Sequence, residues 1–156
     1  MSPGKQVALV VGLGYEMERA LGLFEYLDPA VARFFYEDPG AAAEYLEPMR
    51  SANSTLFNRV GAGALIPYPL DDWEATLAVL EGVFGFYRQS HGVVCVPMGP
   101  KPFAVLACVL ALELGDIHLW RVGSTGDATE LGRDPRGDVV CAQVMLEGLG
   151  ESPAHL

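Results

Sequence analysis

Two rhythms of apolar residues alternate along the chain. Val7–Val11, Val31–Tyr36, Ala64–Tyr68, Val93–Val96 and Ile117–Val122 are short apolar runs of strand length. Between them the apolar positions are spaced for helices. In Glu16–Leu27, Met17, Ala20, Leu21, Phe24 and Leu27 fall on one helical face, and Asp28-Pro29 ends the segment. Ala41–Val60 is helical in composition, and Pro48 predicts a kink or a division into two shorter helices. Asp71 and Glu74 have the spacing of a capping box, with Asp in place of Ser or Thr, and open a helix to about Gln89. A long apolar helix ends at Leu114, where Gly115 supplies a C-terminal cap. Gly123–Gly137 is a polar loop, Asp138–Leu146 a last strand, and 147–156 a mobile tail.

Regular strand–helix alternation implies an α/β domain with a mainly parallel sheet covered on both faces. The reading is a single Rossmann-like, doubly wound three-layer sandwich over 1–146. The expected strand order is 3-2-1-4-5, with the sixth strand at an edge.

Composition narrows the class. The 156 residues are 51% hydrophobic and 19% charged, which excludes a disordered chain. The net charge of −10 argues against an extended nucleic-acid partner, which needs a broad basic face. Cys95, Cys108 and Cys141 read as small buried hydrophobes in a reducing compartment; none has metal-ligand spacing, so no metal is expected. No basic segment leads into an apolar one near Met1. The longest apolar run, Phe103–Leu112, is half the length of a membrane span of about 20 residues. A cytoplasmic protein with no membrane contact is expected.

In a doubly wound sheet, ligands bind outside the carboxyl ends of the strands where the strand order reverses. Here that point lies between the first and fourth strands. The loops leaving them are Gly12-Leu13-Gly14-Tyr15-Glu16 and Met98-Gly99-Pro100-Lys101. The first has G-x-G, but Met17 stands where a dinucleotide fingerprint needs its third glycine, and only Glu37 and Asp38 are placed to hold a ribose. No cofactor is therefore assigned. The second loop holds Lys101, one of two lysines with Lys5, at the start of a helix whose dipole favours an anion. Gly99 lets main chain approach a ligand, while Pro100 and Pro102 remove two donors, so this is not a P-loop. Arg19 and Arg121 are further sources of positive charge.

These two loops resemble those of the CRISPR-associated Rossmann-fold (CARF) sensor domains over roughly Val7–Val122. The similarity is carried by the glycine-bearing Gly12–Glu16 loop and by Gly99-Pro100-Lys101 leading into the Ala-rich helix Phe103-Ala104-Val105-Leu106-Ala107. The resemblance implies a homodimer that binds a small cyclic oligonucleotide across its two-fold axis, and some relatives cleave that ligand. It implies that Gly99 and Lys101 contact phosphate or ribose, with Gly12, Gly14, Tyr15 and Glu16 lining the same pocket. The family turn often carries Ser or Thr beside its lysine; here that hydroxyl is missing.

Two other functions fit the residues. A hydrolase or nuclease acting on a phosphate-containing ligand would use Tyr15 and Glu16 for acid–base work opposite Lys101. His91, His118 and His155 form no recognisable catalytic set. A non-catalytic interaction module would use Trp73, Phe84, Phe86, Tyr87 and Trp120. Phe84, Phe86 and Tyr87 are too close in sequence to share one core, so a partner is expected to cover at least one of them.

Overall fold

The computed structural model describes residues 4–38, 46–69 and 71–123, with Gln143 and Met145. The chain divides into two units, Met1–Gly123 and Ser124–Leu156, and every element named below belongs to the first. In chain order these are β1 (Val7–Gly12), α1 (Arg19–Leu27), β2 (Val31–Glu37), α2 (Leu46–Ala52), α3 (Ser54–Arg59), a 3-10 turn (Ala62–Ala64) and β3 (Leu65–Tyr68). Then come α4 (Trp73–Arg88), β4 (Gly92–Pro97), α5 (Lys101–Leu114) and β5 (His118–Leu119). The strands form one parallel sheet in the order β3-β2-β1-β4-β5, the expected Rossmann-like arrangement. Of the expected sixth strand, residues 138–142, 144 and 146 lie outside the described residues, as do Cys141 and the tail; Gln143 and Met145 belong to no strand. Among the described residues no helix is long and apolar enough to cross a membrane.

The continuous apolar character of β1 and β4 follows from their place in the sheet. Each has a strand on either side and helices on both faces. Ala8 and Val10 face α4 and α5, where Leu80, Phe84, Phe103 and Leu110 complete a core. Leu9 and Val11 face α1–α3, where Ala20, Met49 and Leu56 complete a second. A full side-chain burial contributes about 1.5–3 kcal/mol, so polar substitution on either face of β1 is equally costly.

Local chemistry moves several boundaries. α1 begins at Arg19 rather than Glu16, because Glu18 adopts a left-handed conformation (φ 59°) that breaks the helical path. The segment does form two shorter helices, but the division is not at Pro48. Pro48 sits in the first turn of α2, where a missing N–H is tolerated, and the break falls at Asn53; residues 41–45 lie outside the described residues. The cap of α4 is Asp72, not Asp71: its carboxylate accepts from Ala75 N–H at 2.9 Å. β5 is only two residues long, although Trp120 N–H still donates to the Cys95 carbonyl at 2.9 Å.

Two expectations about side chains resolve differently. Cys95 is buried, and burial, with Cys108 nearby, pushes its thiol up to about 12. Cys108 is exposed, contrary to the buried reading, because α5 is apolar around most of its circumference and turns that residue outward. Phe84 and Tyr87 enter the core while Phe86 stays 68% exposed, so the three aromatics do not share one face.

Candidate functional site

At the reversal of strand order the loops after β1 and β4 close on each other. Met98 N–H donates to the Gly12 carbonyl at 2.9 Å, and Leu13 N–H donates to the Phe35 carbonyl at 2.7 Å. A Cβ on Gly99 would lie 2.8 Å from the Leu13 carbonyl oxygen. A Cβ on Gly14 would overlap the Met98 carbonyl oxygen and the Glu16 carboxylate. The two stretches singled out from sequence therefore meet, main chain against main chain, and glycine permits the approach. Gly12 serves a neighbouring need: a Cβ there would strike the Phe103 ring at the start of α5.

A buried amide fixes this seam from the other side. Asn53 is 3% exposed, and its Nδ2 donates to the carbonyls of Gly14 and Met49, both at 2.9 Å. It thus ties the β1 loop to the end of α2. The sequence reading passed over this residue. Its signal was present: Met49, Asn53 and Leu56 are spaced four and three apart, which puts a polar group on an apolar helical stripe.

Beside the seam opens a cleft of about 420 Å³. Glu16 and Arg19 line it from the β1 loop and α1, Pro97 and Met98 from the end of β4, and Trp120 and Arg121 from the chain after β5. Cys108, Leu119 and Val122 supply apolar wall. The left-handed turn at Glu18 lies between Glu16 and Arg19 and sends both toward the same space. Such a conformation costs a non-glycine residue about 1 kcal/mol, and its persistence here depends on surrounding bonds, among them Glu18 N–H to the Ala52 carbonyl at 3.3 Å.

The sequence-predicted residues divide into three groups. Glu16 and Met98 line the cleft. Gly12, Gly14 and Gly99 build the seam next to it. Tyr15, Pro100 and Lys101 are not part of the lining. Pro100 caps α5 without a side-chain bond, and Lys101 is the exposed first residue of that helix, with no side-chain hydrogen bond or ion pair among the described residues.

Two guanidinium groups face one carboxylate in the cleft, a local positive excess on a chain of net charge −10. Guanidinium forks match phosphate oxygens in pairs. Trp120, 40% exposed, offers an aromatic face for stacking. Among the described residues no group of three His, Cys, Asp or Glu side chains could hold a metal ion.

A second polar feature lies at the ends of β2 and β3. Tyr68 and Glu37 are register partners. Tyr68 is 1% exposed, and its hydroxyl has no hydrogen-bond partner among the described residues. Burial pushes this phenol well above its ordinary range, with Glu37 and then Tyr15 adding to the effect. Desolvation also raises the Glu37 carboxyl above its usual value. No protein-family model matches the chain, and no curated protein matches it.

Proposed function

We propose that the cleft binds a small nucleotide, with phosphate against Arg19 and Arg121 and the base against Trp120. The observation that carries this reading is the convergence of two guanidinium groups and an indole on one space outside the carboxyl ends of the sheet. A small ligand in a cleft responds mainly to local donors, whereas a long polyanion meets the whole negative surface. The CARF resemblance makes a small cyclic oligonucleotide the first ligand to test.

The test is a thermal-shift panel of mononucleotides, linear dinucleotides and cyclic di-, tri- and tetranucleotides. A ligand at about 100 times its Kd adds about 2.7 kcal/mol, which raises Tm by about 5–10 °C in a chain of this size. The double variant Arg19→Ala/Arg121→Ala loses that shift. No shift with any member of the panel rejects the reading. Mass spectrometry of the incubated ligand separates binding from hydrolysis at the same cleft, where Glu16 is the available base.

The same proposal includes a second copy of the chain packed on α4 and α5. Val79 and Phe86 on α4, and Val105 and Leu112 on α5, are exposed. Gly82 and Gly85 have open space where a Cβ would project, so another helix can come close. An apolar face is where two copies of net charge −10 repel least. Sedimentation velocity reads a dimer for the wild type and a monomer for Phe86→Glu.

A further inference from the structure

The cleft contains one group that a bound phosphate does not use. Glu16 is half-buried and lines the same space as Arg19, Trp120 and Arg121. Its carboxylate lies over Gly14, where no side chain stands in the way. The ion pairs among the described residues join Arg59 to Glu25 and Arg88 to Asp116, so neither Arg19 nor Arg121 neutralises Glu16. An ionised carboxylate accepts hydrogen bonds and donates none, and it repels a phosphate. In a cleft with two guanidinium groups it therefore suits a ligand whose donors lie apart from its negative charge.

We infer that the cleft selects guanine among the bases, with the Glu16 carboxylate accepting from the ring N–H and the exocyclic amine of a guanine stacked on Trp120. Guanine alone among the four common bases presents two adjacent donors on one edge, and the two oxygens of a carboxylate accept both in a charge-assisted pair. Adenine and cytosine present an amine beside a ring nitrogen whose lone pair opposes the second oxygen. Uracil presents one donor between two carbonyl oxygens. Stacking on an indole holds any of the four, so the stack supplies affinity and the carboxylate supplies the choice. Charge divides the ligand in the cleft: the phosphate goes to Arg19 and Arg121, and the donor edge of the base to Glu16. This inference rests on the nucleotide reading above and adds the base to it.

The experiment measures, by calorimetry in EDTA, the affinity of wild type, Glu16→Gln and Arg19→Ala/Arg121→Ala for guanosine, inosine, adenosine, cytidine and uridine 5′-monophosphates. Inosine keeps the ring N–H and lacks the amine, so wild type binds it about tenfold more weakly than guanosine monophosphate, the factor set by one hydrogen bond to a charged group. The other three bind more weakly still. Glu16→Gln weakens guanosine monophosphate and strengthens adenosine monophosphate, because an amide offers one acceptor and one donor and pairs with adenine. The double arginine variant weakens all five by one factor and keeps their ranking. The ranking is a ratio within one variant, so partial unfolding, which weakens every nucleotide alike, does not imitate the switch.

Equal affinity for the five, lost in the arginine variant, overturns guanine selection and leaves the nucleotide cleft standing. A guanine preference unchanged by Glu16→Gln overturns the role given to the carboxylate. A preference that emerges only when magnesium replaces EDTA assigns Glu16 to a cation and overturns it too. Binding of none of the five removes the cleft reading and the base selection together.

Discussion

The seam between β1 and β4 and the cleft beside it occupy the same edge of the sheet, yet they are built in opposite ways. The seam is backbone: Gly14 against Met98, Gly99 against Leu13, with Asn53 bonded in behind. The cleft is side chain: Arg19, Glu16, Trp120 and Arg121 around open space. Glycine-rich loops at a strand reversal are read as room for a ligand, but here the glycines give two loops room for each other. The space for a ligand is displaced toward β4 and β5. The seam therefore governs stability, and in the proposed reading the cleft governs recognition.

Substitutions can break that division in order of expected size. Gly14→Ala forces a methyl into the Met98 carbonyl and lowers stability by about 3 kcal/mol, read from urea midpoints. Asn53→Leu keeps the volume but removes the side-chain donor to the Gly14 carbonyl, while the Met49 carbonyl keeps the main-chain N–H of residue 53; the cost is about 1–2 kcal/mol. Gly22→Ala is the contrasting glycine: it lies within α1 with open space where its Cβ would project, and it gains about 0.5–1 kcal/mol. Arg121→Ala changes stability by less than about 0.5 kcal/mol while removing the ligand-induced Tm shift. A cleft variant as damaging as Gly14→Ala would erase the distinction between the two regions.

The smallest effect depends on pH. The Glu37 carboxyl is raised above its usual 4.5 by desolvation, so the folded state holds its proton more tightly than the unfolded state. Stability then falls as pH rises from that value through the folded pKa. Glu37→Gln lacks this fall: relative to wild type it gains stability toward neutral pH, and the gain is absent below pH 4.5. Urea midpoints on both sides of the window check the sign.

What was legible in the sequence follows from which forces are local. Val7–Val11 and Val93–Val96 declare themselves as central strands because burial on both faces leaves no polar position. The strand order followed from handedness and alternation. The meeting of the two glycine loops was legible for the same reason. The place of the cleft was not, because it depends on Glu18 leaving the helical region and on β5 stopping at Leu119, neither of which has a periodic signature. Pro48 misled because a proline's effect depends on its distance from a helix start, which periodicity does not mark. The orphan hydroxyl of Tyr68 was hidden too: a tyrosine ending a strand looks like core, and only the packing of Phe35 and Phe103 reveals that its oxygen has nowhere to go.

The register that joins Val7 to Gly92 has a consequence for the order of assembly. β1 leaves the ribosome first, but one of its two flanking strands arrives only after β2, β3 and α4 have been made. Until then the most apolar strand of the nascent sheet has an open edge. Closing the loop to β4 is a late, entropically costly event in folding, and a chain halted before Gly92 has an exposed template for aggregation.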